Sequence, residues 1–122
     1  MRNLTSGEPH GLNATTLTAI QDTCAGYPEI EQAILYGSRA KGEYRPGSDI
    51  DLTLYVSESA SKNILAQVSH TLDDLNTPYR FDVSLFRHID NPNLIKHILR
   101  VGVVVFNAEH QHHQDTASCQ HM

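Results

Sequence analysis

The chain has 122 residues, enough for one domain with a modest core, and carries a formal charge of −5. That balance argues against general nucleic-acid binding, although three of the nine basic residues, Arg39, Lys41 and Arg45, fall within one loop. No uninterrupted apolar run approaches membrane-spanning length and Met1 to Gly11 has no apolar signal core, so a soluble, cytosolic protein is expected.

Residues 1 to 12 are small and polar, with Gly7, Pro9 and Gly11, and read as a flexible lead-in. Asn13 or Thr15 can cap a helix running to about Ala25, with Leu17, Ile20 and Cys24 on one side, and Gly26 and Pro28 end it. A strand is expected from about Ile30 to Tyr36. It stops at Gly37-Ser38, where glycine can adopt backbone angles closed to other residues and leaves room for a phosphate to approach the main chain. Ser38 is a good helix cap, so Ser38 to Gly42 is expected to form one helical turn whose free N–H groups point at an anion. Pro46-Gly47 makes the turn into a second strand, which ends at about Val56. Along it Ile50, Leu52, Leu54 and Val56 share one face and Asp49, Asp51 and Thr53 the other, so the sheet should have one packed and one partly open face. The two carboxylates leave the same face roughly 7 Å apart at Cα. Hard oxygen ligands at that separation suit Mg²⁺, which keeps waters and substrate phosphates as its other ligands.

Ser57 to Ser61 offer caps for a helix to about Leu75, where Ile64, Leu65, Val68, Leu72 and Leu75 recur at helical spacing and should cover the apolar face of the sheet. Asn76-Thr77-Pro78 breaks it. From Tyr79 to Phe86, Phe81, Val83 and Leu85 alternate with Arg80, Asp82 and Ser84, so Asp82 can meet Asp49 and Asp51 if the two strands are neighbours. Asn91-Pro92 starts a last helix with Leu94, Ile95, Ile98 and Leu99 facing inward; Gly102 ends it before a strand from Val103 to Phe106. Lys96, Arg100, His88 and His97 read as surface residues. Residues 108 to 122 form a polar tail, expected to be disordered, whose His110, His112 and His113 lack a fixed scaffold for metal. Cys24 on a helix and Cys119 in the tail indicate neither a disulfide framework nor a metal motif, and both are expected to be free thiols.

Gly37-Ser38, ten intervening residues and Asp49-Ile50-Asp51 resemble the signature of the DNA polymerase β type nucleotidyltransferase superfamily. The fuller string GSRAKGEYRPGSDIDL resembles in particular its minimal nucleotidyltransferase (MNT) branch, the small proteins commonly encoded beside HEPN-domain toxins. The resemblance spans residues 13 to 107 and implies an α+β nucleotidyltransferase fold: a small mixed sheet with helices packed on one face and catalytic carboxylates on the open face. It implies that Asp82 is the third carboxylate, so that Asp49, Asp51 and Asp82 are catalytic and hold Mg²⁺, as two ions about 3.5–4 Å apart. It also implies that Gly37 and Ser38 hold the outer phosphates of ATP, with Arg39 and Lys41 offsetting phosphate charge.

The activity so implied is transfer of AMP from ATP to a hydroxyl with release of pyrophosphate. Larger superfamily members bind their acceptor with extra domains, so here the acceptor is expected on another protein: a tyrosine of a cognate HEPN ribonuclease toxin, with this chain its antitoxin. A small-molecule acceptor such as an aminoglycoside is disfavoured, because no helical acceptor domain follows residue 107. The other class is a nucleotide-binding or masking module without turnover, against which three adjacent carboxylates argue, since like charges side by side are costly without metal.

Overall fold

In the computed structural model, residues 2–4 and 10–108 are described. Nine regular elements follow in order: β1 (Arg2–Asn3), α1 (Ala14–Ala25), β2 (Ile30–Tyr36), α2 (Gly37–Lys41), β3 (Ile50–Val56), α3 (Ile64–Asp73), β4 (Phe81–Leu85), α4 (Pro92–Val101) and β5 (Val103–Asn107), with a 3-10 turn at Phe86–His88. They form a mixed sheet of order β1-β5-β2-β3-β4. β2 runs antiparallel to both β3 and β5, whereas β3 and β4 are parallel. A parallel pair needs a crossover, and α3 supplies it.

Helix starts follow side-chain chemistry. Asn13 Oδ1 accepts the Thr16 N–H at 2.7 Å, a cap worth about 1 kcal/mol. Asn91 Oδ1 accepts from Asn93 and Leu94 ahead of Pro92, whose fixed φ suits the first helical turn. α3 begins later than the serines after β3 suggest: those residues are spent on turns closed by Ala60 N–H to Ser57 O and Ile64 N–H to Ser61 O, both 3.1 Å. Ile64, Val68 and Leu72 from α3 are buried with Ile20 and Cys24 from α1 against Ile50, Leu52 and Leu54 of β3 and Ala33 and Leu35 of β2. Each such aliphatic side chain contributes about 1.5–3 kcal/mol by leaving water. Burial pushes the Cys24 thiol up to about 12, so it packs as an apolar group.

The opposite face has its own smaller core. Ile34, Val104 and Ile98 are buried there, flanked by Tyr36, Tyr55, Phe86, Ile89 and Leu94. α4 therefore covers part of the carboxylate-bearing face while α1 and α3 cover the other. Leu99, expected inward, is 49% exposed because α4 turns Leu94 and Ile98 to the sheet instead.

The segment read as a lead-in makes contacts at both of its described ends. Arg2–Asn3 pair in parallel with Val103 and Val104, Leu4 N–H reaches Val104 O at 2.9 Å, and His10 and Leu12 are buried. β4 starts at Phe81 rather than Tyr79, because Tyr79 turns away to donate its hydroxyl to Gly11 O at 3.1 Å. Cys119 and the tail histidines His110, His112 and His113 lie outside the described residues. Among the described residues no helix is long and apolar enough to cross a membrane.

Candidate active site

β2 delivers the chain to a tight turn at the end of the sheet. Gly37 has φ +77°, which favours glycine, and a Cβ there would collide with the Asp51 carboxylate and displace it. α2 follows at once, with Tyr36 rather than Ser38 in the capping position and no side-chain cap bond. Ser38 lies inside the turn, half-buried, and its carbonyl accepts the Glu43 N–H at 2.9 Å. The Arg45–Ser48 turn, closed by Ser48 N–H to Arg45 O at 2.9 Å, then places Asp49 just before β3.

Arg39, expected to offset phosphate charge, is only 3% exposed. Its guanidinium donates to Ser48 O from Nε at 3.1 Å and Nη2 at 2.7 Å, and from Nη1 to His10 O at 3.0 Å and Gly11 O at 3.2 Å. The rings of Tyr44 and Tyr79 lie 5.2 and 5.0 Å from it. A planar five-donor fork satisfies several carbonyls at once and stacks on aromatic faces, which suits a buried strut. Arg39 thus ties the turn before Asp49 to the N-terminal segment. Lys41 remains on the outside, paired with Glu43 at 3.2 Å.

The carboxylates meet through strand register. Asp51 is opposite Tyr36 on β2 and opposite Asp82 on β4, so Tyr36, Asp51 and Asp82 form one row across three strands. Neighbouring strands lie about 4.8 Å apart, close enough for the acids to repel. Asp51 is half-buried, Asp49 and Asp82 exposed. Burial first, then the charges of Asp82 and Asp49, raise the Asp51 carboxyl to about 6, with Arg39 pulling the other way. Among the described residues no three His, Cys, Asp or Glu side chains converge as a ready-made metal cage. The donor set still fits Mg²⁺, which is held by one or two carboxylates together with substrate phosphates, and a cation would relieve the charge crowding on Asp51.

Tyr36 and His97 complete the surroundings, and neither stood out in the sequence. The Tyr36 hydroxyl is raised above the ordinary tyrosine range by burial, eased by the Ser84 hydroxyl and raised further by Asp51 and Asp82. His97, read above as a surface residue, accepts the Gly37 N–H through Nε2 at 3.1 Å and sets its ring edge-on to Tyr36, centroids 6.3 Å apart. The signal was present: His97 is three residues after Leu94 and next to Ile98, on the helix stripe that meets the sheet.

The sequence model of the family described as "Polymerase beta, Nucleotidyltransferase" matches residues 18–111. No curated protein sequence matches. Among solved structures, the chain is similar to one in a toxin–antitoxin complex with AMP-PNP, at 17% identity and TM-score 0.60 over 90% of this chain and 89% of that one. It is similar to a chain of the MntA–HepT toxin–antitoxin pair, at 14% identity and TM-score 0.56 over 88% and 86% of the two chains. A third similar chain belongs to the tri-AMPylated Shewanella oneidensis HEPN toxin in complex with MNT antitoxin, at 13% identity and TM-score 0.58, again over 88% and 86%.

Proposed function

The chain belongs to the polymerase β nucleotidyltransferase family, and from that membership we propose that it transfers AMP from ATP to a tyrosine hydroxyl of a cognate HEPN ribonuclease toxin, acting as antitoxin. The observation that carries this reading is the register of Asp51 opposite Asp82, beside Asp49 and directly above Gly37. The complexes of MNT antitoxin with HEPN toxin among the similar structures support the choice of partner, and the AMP-PNP complex supports the choice of nucleotide.

Each residue then has a task. Asp49, Asp51 and Asp82 hold Mg²⁺, which when bound offsets phosphate charge and polarises the phosphoryl oxygens. Ser38 binds an outer phosphate through its hydroxyl, and Lys41, freed from Glu43, adds charge at the rim. Arg39 keeps Ser48 in place, and with it the entry of Asp49 into β3. Asp82, exposed on a short strand at the sheet edge, takes the proton as the incoming hydroxyl oxygen bonds to the α-phosphorus. The bond from that phosphorus to the bridging oxygen breaks and pyrophosphate leaves.

Incubation of the protein with α-labelled ATP, Mg²⁺ and its HEPN partner tests the reading: label should move to the partner and disappear when the acceptor tyrosine is changed to Phe. A HEPN-type reading frame beside this one would identify the partner to use. Absence of label with silencing intact would leave masking as the activity.

A further inference from the structure

We propose that His97 is a positioning residue for this transfer: by accepting the Gly37 N–H it fixes the Tyr36–Gly37 peptide, whose two residues both adjoin Asp51, Tyr36 as its cross-strand partner and Gly37 against its carboxylate. The inference rests on the nucleotidyltransferase reading of the site.

Gly37 is the softest point of the site, since glycine visits positive and negative φ with nearly equal ease. It is also where softness is least tolerable. The atom nearest to the place a Cβ would occupy is Asp51 Oδ2, and Tyr36, on the other side of the same peptide, is the cross-strand partner of Asp51. A rotation of this one peptide therefore moves both the floor and the neighbour of the central carboxylate. α2 is too short to hold it, with five residues and no side-chain cap. The restraint comes from 60 residues away: His97 Nε2 accepts the N–H at 3.1 Å. The ring itself is held edge-on by Tyr36 and carried on α4, whose Leu94 and Ile98 are anchored on Ile34 and Val104.

Acceptance at Nε2 requires a neutral imidazole with its proton on Nδ1. Burial, then the positive charges of Arg100 and Lys41, hold His97 below the usual histidine range, which preserves the acceptor at neutral pH. Catalytic geometry is sensitive at this scale, a displacement of about 1 Å costing on the order of a hundredfold.

The test compares the full-length protein with His97→Phe, which keeps a flat ring against Tyr36 but removes the acceptor, and His97→Gln, which offers a carbonyl in its place. In the metal-free protein, NMR reads the exchange rate of the Gly37 amide and the carboxyl ¹³C resonance of Asp51; calorimetry then reads Mg²⁺-dependent ATP binding. For His97→Phe we expect exchange faster by about tenfold or more, a displaced Asp51 resonance and ATP binding weaker by about tenfold. His97→Gln should return the exchange rate and the ATP affinity to within about threefold of wild type and the Asp51 resonance to its wild-type position. If His97→Phe does not fold, His97→Asn, too short to reach Gly37, takes its place. An unchanged Asp51 resonance with unchanged ATP binding overturns the proposal even if Gly37 exchanges faster. A wild-type protein that binds no ATP would refute the nucleotidyltransferase reading instead, and the two resonances would still decide what His97 does.

Discussion

Asp51 Oδ2 occupies the space that a side chain on Gly37 would need. Gly37→Ala must therefore pay for a strained φ of +77° and displace the central carboxylate. We expect a loss of about 1–3 kcal/mol of stability, seen as a lower Tm, together with loss of nucleotidyl transfer in protein that is still folded. A Gly37→Ala protein with wild-type Tm and turnover would show that the turn tolerates a methyl group and that Asp51 is not seated on it.

Asp51→Asn should abolish transfer while making the metal-free protein more stable at neutral pH. The carboxyl is raised from 3.8 to about 6, so the folded state holds its proton where the unfolded state has lost it. Stability then falls as pH rises from 3.8 to 6, and above that range the full cost of the charge is present. Asparagine has no such charge. Because the group is half-exposed, solvent screening limits the gain to about 1 kcal/mol, or about 4 °C in Tm. Melting curves across this range should show the two proteins converging in acid and separating towards neutrality, and Mg²⁺ should raise the Tm of the wild type only.

Arg39→Lys keeps the charge but not the fork. Lysine cannot serve the carbonyls of Ser48, His10 and Gly11 together or bring a planar guanidinium to the Tyr44 and Tyr79 rings. Denaturant titration should show a loss of about 2–3 kcal/mol. Unchanged stability with weakened ATP binding would return Arg39 to the phosphate-binding role expected for it from the loop.

Ser38→Ala should weaken Mg²⁺-dependent ATP binding by about 10–100-fold, since a hydrogen bond to a charged phosphate oxygen contributes about 1.5–3 kcal/mol. Calorimetry giving equal affinities would assign the hydroxyl to local structure alone.

Much of the fold was legible in the sequence because alternation and capping act over a few residues. β2 matches its expected range of Ile30–Tyr36, Asn13 caps α1, and the stripe from Ile64 to Leu72 faces the sheet as its spacing implied. Asp82 could be placed on the same face as Asp51 only if their strands were neighbours, and the parallel register makes them so. What was not legible depends on partners distant in the chain. Arg39 looks like a loop cation until carbonyls 28 and 29 residues away are brought to it. His97 looks like a surface histidine until α4 folds back over Tyr36 and Gly37. β1 is two residues long, too short for any periodicity, and exists only because β5 offers it an edge.

The most direct test is the intact mass of the HEPN partner after incubation with ATP, Mg²⁺ and either wild-type or Asp82→Asn protein, followed by an RNA-cleavage assay on the same samples. The wild type should add AMP mass to the partner and silence its ribonuclease activity, and Asp82→Asn should do neither once the two proteins are separated. A partner silenced equally by both, with no AMP added, would contradict the transferase function and make this chain an antitoxin that acts by masking.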